Sequence, residues 1–420
     1  MRFATSILVM VLAATQQAAT ADTLRESVLR SAAQKHGLRP TSEVTPEINL
    51  ELSKAGSLLF DSELMSLTRN VSCRSCHLAE FGSADGLPLG HGAGGVGKGV
   101  ERIGSGAGIL ARNTLPLWGR GSIGFDTFFW DGRVEQEATR IISPFGMYAP
   151  SEDLLTVLVH MPPVEFREMV GETAETELFR AESLDAANLV YSSIVEQVRG
   201  EPEIAEALSS ALEISLDEIE FLDIAESIAE FIRDSFRIRD TRFHNFVFGD
   251  GELNKSEIEG GLIFYGRGMC VSCHGGPFFS DLKFHSIPFR QFGFGKNGFG
   301  VDYGRYNVTL NPSDLYKFRT PPLYNVAQTS PYSHSGSVID LATAIRVHVD
   351  PLWDVDTRNL STLERAEIYA RIARWSNEPG YGVELMDDEI NDLVAFLRTL
   401  DFLPQKELPG GVGGSLGAQN

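Results

Sequence analysis

The chain has 420 residues, of which 43% are hydrophobic, enough for a globular protein with two or three domains. Its formal net charge of −21 argues against nucleic acid or an anionic membrane surface as a partner. The same charge favours encounter with a basic protein, although it equally suits a surface that only keeps the protein soluble.

The first 21 residues predict a secretory signal peptide. A basic start is followed by a short apolar run at residues 7–14 and by an Ala-x-Ala cleavage site at residues 19–21. The apolar run is far shorter than the roughly 20 residues that span a bilayer, and no later run is longer, so no membrane anchor is expected. We therefore expect the mature protein to begin near Asp22 and to reside in the periplasm.

All four cysteines lie in two copies of one pentapeptide, Cys-x-x-Cys-His. This pattern is the attachment sequence of c-type haem, in which both thiols bond to the porphyrin and the histidine is the proximal iron ligand. Zinc sites and redox or structural disulfides explain it less well, because the pairs are almost two hundred residues apart and need no adjacent histidine. The sequence thus predicts two covalently bound haem c groups, held by Cys73, Cys76 and His77 and by Cys270, Cys273 and His274.

A weak internal repeat precedes the two pentapeptides. Residues 56–60 read Gly-Ser-Leu-Leu-Phe and residues 260–264 read Gly-Gly-Leu-Ile-Phe, each on a predicted helix. Residues 386–397 predict a closing helix, because apolar residues recur at helical spacing behind an acidic first turn. The expected fold class is all-α, with two cytochrome c-like domains and long haem-wrapping loops.

The predicted domain limits follow from the helices and linkers. The N-terminal cytochrome c-like domain covers residues 22–240 and ends with an amphipathic helix at 216–236. The C-terminal cytochrome c-like domain covers residues 250–403, and residues 404–420 are expected to be a disordered tail. Glycine-rich loops at 82–108 and 291–304 are of the kind that wraps a ligand.

Three further motifs flank the pentapeptides: Phe-Trp-Asp-Gly-Arg at 129–133, Phe-Arg-Thr-Pro at 318–321, and Thr-Ser-Pro-Tyr-Ser-His-Ser-Gly at 329–336. In this order they resemble the bacterial diheme cytochrome c peroxidases and the related MauG-like proteins. The resemblance runs from about residue 56 to residue 400. It implies an oxidoreductase whose N-terminal haem meets peroxide and whose C-terminal haem transfers electrons.

The resemblance also implies further iron ligands. His348, nineteen positions after Thr329, corresponds to the second ligand of the C-terminal haem, where family members carry methionine or tyrosine. The alternative is a packed or surface histidine in a helix at 340–349. His91, fourteen residues after His77, corresponds to a reversible ligand of the N-terminal haem. In the MauG-like alternative that haem is always open and His91 is a loop residue; both interpretations remain open.

Two residues are implied to take part in catalysis. Glu168, in Glu-Met-Val-Gly, corresponds to the family's acid–base glutamate, although a single glutamate is by default a solvated surface charge. Trp130 corresponds to the tryptophan that relays electrons between the haems, and it is at the same time a typical core aromatic residue. His334 and Arg319 are expected to bind haem propionates or backbone rather than iron.

A calcium ion is implied between the haems. Asn113 and the backbone carbonyls of Thr329 and Pro331 correspond to the family's calcium site, and water would complete a shell of oxygen ligands.

Two enzymatic functions follow, with a non-catalytic diheme electron carrier as a third interpretation. The first is reduction of hydrogen peroxide to water with electrons from a small periplasmic cytochrome c or cupredoxin. The second is a MauG-like oxidation of tryptophan or tyrosine residues in a partner protein. The sequence is also compatible with a homodimer.

Overall fold

The computed structural model describes residues 22–146, 149–171, 184–353 and 355–402. The predicted signal peptide and the predicted tail lie outside these residues. The described residues are mostly helical with a few short strands, which confirms the helical class. The division into two cytochrome c-like domains stays a prediction. Each described helix is too short or too polar to cross a membrane.

The helices of the described part, numbered in chain order, are α1 (22–35), α2 (Leu50–Asp61), α3 (Leu154–Val159), α4 (Leu184–Arg199), α5 (Pro202–Leu212), α6 (Phe221–Ser235), α7 (Arg242–Phe248), α8 (Lys255–Tyr265), α9 (Tyr306–Thr309), α10 (Leu341–Val349), α11 (Thr362–Trp375) and α12 (Asp387–Arg398). The strands are β1 (Thr127–Phe128), β2 (Val134–Glu137), β3 (Arg140–Ile142), β4 (Phe284–His285), β5 (Phe294–Gly295), β6 (Gly298–Phe299) and β7 (Phe318–Arg319).

Each pentapeptide follows a helix that crosses a second helix at a glycine. Helix α2 packs on α6, and a β-carbon on Gly56 would lie 1.8 Å from the carbonyl oxygen of Ser227. Helix α8 packs on α12 in the same way, and a β-carbon on Gly260 would lie 2.0 Å from the carbonyl oxygen of Asp392. Only glycine permits such an approach. The repeat seen in the sequence therefore reflects two equivalent helix crossings.

The phenylalanine that ends each repeat is buried at its helix crossing. The ring of Phe60 lies 5.0 Å from that of Phe231 on α6, and the ring of Phe264 lies 5.1 Å from that of Phe396 on α12. Burying a side chain of this size contributes about 1.5–3 kcal/mol. These contacts fix the two helices from which the pentapeptides begin.

Helix α1 packs on the C-terminal half of the chain. Leu29 is fully buried and meets Gly261 on α8, while the guanidinium of Arg25 lies 3.0 Å from the carboxylate of Glu259. The guanidinium of Arg30 stacks 3.8 Å above the ring of Phe246. The segment that begins the described chain thus contacts the helix in front of the second pentapeptide.

Short antiparallel strands position several residues of interest. Strands β1, β2 and β3 form one sheet, with Phe128 opposite Val134, so that Trp130 lies in the β1–β2 connection. Strand β4 pairs with β7, which places Phe284 opposite Arg319.

A buried arginine joins the two halves of the chain. Arg112 donates to both carboxylate oxygens of Asp302 at 2.8 and 2.9 Å, and to Asp131 at 2.6 Å. All three side chains are buried. Burial alone would raise the pKa of both carboxyl groups, but the nearby guanidinium of Arg112 has the larger effect. It lowers the pKa of Asp302 to about 2 and that of Asp131 still further. The ion pair with Arg112 therefore fixes the position of Asp131, the residue next to Trp130.

Replacing Arg112 by methionine should destabilise the protein strongly. Two buried carboxylates would lose their counter-charge, which costs about 3–5 kcal/mol of unfolding free energy. Chemical denaturation should show a lowered midpoint. The matched control is Arg358→Met, which breaks an exposed pair with Asp356 and should change stability by less than about 0.5 kcal/mol. Equal midpoints for both variants would contradict the structural role of Arg112.

Candidate haem sites

The first pentapeptide forms a short 3-10 turn, Cys73–Ser75, that presents its histidine to the interior. The Nδ1 of His77 donates to the carbonyl oxygen of Ser83 at 2.8 Å. Because a carbonyl can only accept, this bond fixes the tautomer and leaves Nε2 free to bind a metal. Burial lowers the pKa of His77 to about 4, so the ring is neutral at physiological pH, as a metal ligand must be.

The second pentapeptide repeats this arrangement in the turn Cys270–Ser272. The Nδ1 of His274 donates to the carbonyl oxygen of Phe279 at 2.9 Å, and burial lowers its pKa to about 4. No two of the four cysteines are joined in a disulfide. Both turns therefore present two thiols and one oriented, neutral imidazole, which is the donor set of haem c.

His348 faces the proximal histidine of the second turn. Its Nδ1 donates to the carbonyl oxygen of Ala344 on α10 at 2.8 Å, and its ring centre lies 6.4 Å from that of His274. A metal ion could be held between two imidazoles at this separation, because metal–imidazole nitrogen bonds are about 2 Å long. Cys270, Cys273 and both histidines line one largely apolar cavity. These residues fit a haem with two histidine ligands, and the role of His348 stays a prediction.

Arg319 lies against the same cavity with unused hydrogen-bonding capacity. It is fully buried, and its Nη2 has no hydrogen-bond partner among the described residues. Burial lowers its pKa to about 10. A buried donor of this kind fits a carboxylate such as a haem propionate. His334 also borders the cavity, but its Nε2 bonds to the Oε1 of Gln291 at 3.0 Å and its ring stacks on Phe318.

His91 lies close to the first cysteine pair on a tightly held loop. Its carbonyl oxygen is 4.0 Å from the Sγ of Cys76, and its Nδ1 donates to the carbonyl oxygen of Leu89 at 2.9 Å. The buried side chain of Arg102 donates to the carbonyl oxygen of His91 at 2.7 Å and to those of Asn70, Gly92 and Gly97. The Nδ1 bond leaves the Nε2 of His91 free to bind a metal, and whether it binds iron stays a prediction.

Glu168 packs against the loop that carries His91. It belongs to a single π-helical turn, Phe166–Val170, a distortion that is frequent at functional sites. A β-carbon on Gly92 would lie 2.6 Å from the Cα of Glu168, so the loop after His91 rests directly on this turn. The structure thus brings His91 and Glu168 together beside the first pentapeptide.

The electrostatics of Glu168 suit proton transfer. Burial, followed by the neighbouring carboxylate of Glu165, raises its pKa to about 7, against the lowering influence of Arg133 and Lys296. The turn that carries Glu168 packs on Gly92, next to His91, whose carbonyl oxygen lies 4.0 Å from the Sγ of Cys76, so Glu168 lies near the first cysteine pair. A carboxyl group that titrates near neutrality can both take and return a proton.

Trp130 borders the second haem cavity and is held in place by hydrogen bonds at its indole and at its backbone. Its Nε1 donates to the carbonyl oxygen of Asn113 at 3.0 Å, and its own carbonyl oxygen accepts from the backbone of Arg319 at 2.8 Å. Its ring centre is 6.5 Å from that of His334. Trp130 is both a buried core residue and a wall of the second haem cavity. Its electron relay stays a prediction.

The three residues predicted to bind calcium border one small cavity with Trp130. The side-chain amide of Asn113 donates to the carbonyl oxygens of Leu87 at 2.7 Å and of Pro331 at 3.4 Å. The structure therefore brings Asn113, Thr329 and Pro331 together, and a calcium ion among them stays a prediction.

Sequence reasoning missed a histidine at the second haem cavity. His285 bonds through Nδ1 to Glu378 at 2.7 Å and through Nε2 to Asp281 at 2.9 Å. Burial opposes its charge, but the hydrogen bonds to Asp281 and Glu378 raise its pKa, which favours the cation. Because Glu378 is 93 residues away, no local pattern marks this pair.

Comparison with known proteins agrees with the geometry of the two turns. A family model described as di-haem cytochrome c peroxidase matches residues 51–252. The chain is 26% identical to the cytochrome c551 peroxidase of Nitrosomonas europaea over 86% of this chain and 83% of that protein. It is 24% identical to the methylamine utilization protein MauG of Methylorubrum extorquens over 92% of this chain and 88% of that protein.

Solved structures show a similar fold. The diheme peroxidase BthA from Burkholderia thailandensis superposes with a TM-score of 0.60 at 18% identity, covering 87% of this chain and 89% of that one. A MauG-like protein associated with microbial copper homeostasis gives 0.59 at 22% identity, covering 87% and 92%. The expectation from the flanking motifs is confirmed, and two haem c groups are implied. The chain is thus similar, over most of its length, to oxidoreductases of the di-haem cytochrome c peroxidase and MauG family.

Proposed function

We propose that the protein is a periplasmic peroxidase that reduces hydrogen peroxide to water. One peroxide, two electrons and two protons give two waters, and a small cytochrome c or cupredoxin supplies the electrons. Bound haem supplies the redox chemistry. Residues 22–240 would hold the haem that meets peroxide and residues 250–403 the haem that receives electrons.

A difference between the two turns carries this proposal. The first turn has the half-buried carboxyl group of Glu168, with a pKa of about 7, close to its cysteines, whereas the second has His348 opposite the proximal His274. A site flanked by a proton-transferring group suits peroxide cleavage. A site closed on both faces by imidazoles suits electron transfer without substrate.

The residues of the chain then have distinct tasks. Glu168 takes a proton from the inner oxygen of peroxide and gives it to the leaving oxygen, which departs as water. Trp130, held by Asn113 and Arg319, offers an aromatic path between the two sites. Arg319 holds a propionate, and the neutral rings of His77 and His274 hold the two irons.

The activity should depend on pH through Glu168. Only the ionised carboxylate accepts a proton, so kcat/KM for peroxide should fall by about tenfold per pH unit below about 7 and level off above it. Steady-state rates between pH 5 and about 9 test this. In Glu168→Gln the residual rate should lose this inflection. An unchanged inflection in that variant would assign the titration to another group.

A MauG-like oxidase is the second candidate, because the His91 loop is firmly held. Arg102 donates to four backbone carbonyls of this region, which opposes a histidine that leaves and returns on a mobile loop. The 24% identity to MauG over most of both chains adds support. The substrate would then be a tryptophan or tyrosine of a partner protein.

Peroxide titration of the purified diheme protein distinguishes these functions. Rapid turnover with a reduced small cytochrome would support the peroxidase. Slow turnover, with oxidising equivalents that persist on the protein, would support the oxidase. No reaction with peroxide would refute both and leave an electron carrier.

A further inference from the structure

A pair of aromatic side chains connects the second haem cavity to the surface. Trp375, at the end of α11, is 5% exposed, and its Nε1 donates to the carbonyl oxygen of His348 at 3.1 Å. The indole therefore contacts the residue that faces the proximal histidine. It plays no part in the reaction described above.

Tyr381 continues this path outward. Its ring meets that of Trp375 edge to face, with centres 4.9 Å apart, and 56% of the residue is exposed. Pro379 and Gly380, just before it, line the haem cavity. A continuous chain of contacts thus runs from the cavity through His348 and Trp375 to a phenol in water.

Tryptophan and tyrosine are the side chains best able to lose one electron to a strong oxidant. We propose that Trp375 and Tyr381 form a one-electron path, and that Tyr381 is a surface site for oxidising small phenols. This inference rests on the proposed function, because hydrogen peroxide is the oxidant.

The electron balance of the step is complete. Tyr381 gives one electron inward through Trp375 and its phenolic proton to water, and it becomes a neutral tyrosyl radical. A phenol in solution then gives one hydrogen atom to Tyr381, which restores the tyrosine. Two such cycles supply the two electrons and two protons that turn one peroxide into two waters, and two phenoxyl radicals are released.

The structure offers a matched control. Tyr369 lies on the same helix α11, is 55% exposed, and contacts no aromatic ring among the described residues. A tyrosine that is merely exposed would behave like Tyr369. A tyrosine at the end of an electron path would not.

The test compares Tyr381→Phe, Trp375→Phe and Tyr369→Phe in the diheme protein, with hydrogen peroxide and a water-soluble phenol. Tyr381→Phe and Trp375→Phe should lower phenol oxidation by about tenfold or more, whereas Tyr369→Phe should not. Freeze-quenched samples should show a tyrosyl radical by electron paramagnetic resonance that is absent only from the first two variants. Oxidation of a reduced cytochrome should remain within about twofold in all three.

Equal phenol oxidation and an equal radical signal in Tyr381→Phe and the parent protein would overturn the inference. So would an equal loss in Tyr369→Phe. Because Trp375 is buried, Trp375→Phe counts as a test only if its haem absorption spectrum matches that of the parent protein. If that spectrum changes, the result for Tyr381→Phe alone decides the question. Failure of cytochrome oxidation in the parent protein would instead refute the proposed peroxidase.

Discussion

Glu168→Gln is expected to lower kcat for peroxide reduction by about 10²–10⁴-fold while leaving haem content unchanged. Glutamine has nearly the shape of glutamate but cannot take a proton from peroxide. The π-helical turn and its contact with Gly92 involve backbone atoms, so the substitution should preserve them. Stopped-flow measurement of peroxide reduction with a reduced cytochrome gives the rate.

The neighbouring Glu165 provides the control for this variant. Its carboxylate lies 3.5 Å from Arg133 and raises the pKa of Glu168. Glu165→Gln should therefore keep most of the activity and move its inflection to lower pH. Retained turnover in Glu168→Gln would contradict the proposed acid–base role of Glu168. An equal loss of activity in Glu165→Gln and Glu168→Gln would show that the loss comes from removing a negative charge.

His348→Ala is expected to change the spin state of one of the two haems completely. Loss of an imidazole opposite His274 would leave that iron with five ligands, which favours the high-spin state. Optical and electron paramagnetic resonance spectra should show about half of the total haem changing. The lost hydrogen bond to Ala344 lies within one helix and costs only about 1 kcal/mol, so the fold should persist.

His334→Ala is the matched control, because His334 lines the same cavity. Its Nε2 is engaged by Gln291 and its ring stacks on Phe318, which leaves it unsuited to bind iron. That variant should keep the low-spin signal. A spectrum that is unchanged in His348→Ala would remove His348 as a ligand.

The sequence alone predicts the local part of the haem sites, and attachment of haem to these residues stays a prediction. Each pentapeptide contains its thiols and histidine within five residues, so spacing alone identifies the donor set. The helical class and the helices before and after the second pentapeptide also follow from apolar periodicity. The closing helix, expected at residues 386–397, spans Asp387–Arg398. The glycines of the repeat were visible as a pattern, and the structure supplies their reason in the close crossings at Gly56 and Gly260.

The long-range contacts could not be read from the chain. Arg112 pairs with Asp302 across 190 residues, and His285 pairs with Glu378 across 93. Nothing in the local sequence distinguishes these residues from surface charges, because their partners are set only by the tertiary fold. The packing of α1 on α8 is a further example. The short strands around Trp130 were not predicted either, because a strand of two residues such as β1 is too short to show an alternating pattern.

Everything proposed for this chain depends on thioether-linked haem at both turns. Mass spectrometry of the intact protein, matured in a periplasm that contains the haem-attachment machinery, tests this directly. We predict the mass of the mature polypeptide plus two haems, with one haem on the peptide that carries Cys73 and Cys76 and one on the peptide that carries Cys270 and Cys273. A mass equal to the bare polypeptide, with all four thiols free, would contradict the account.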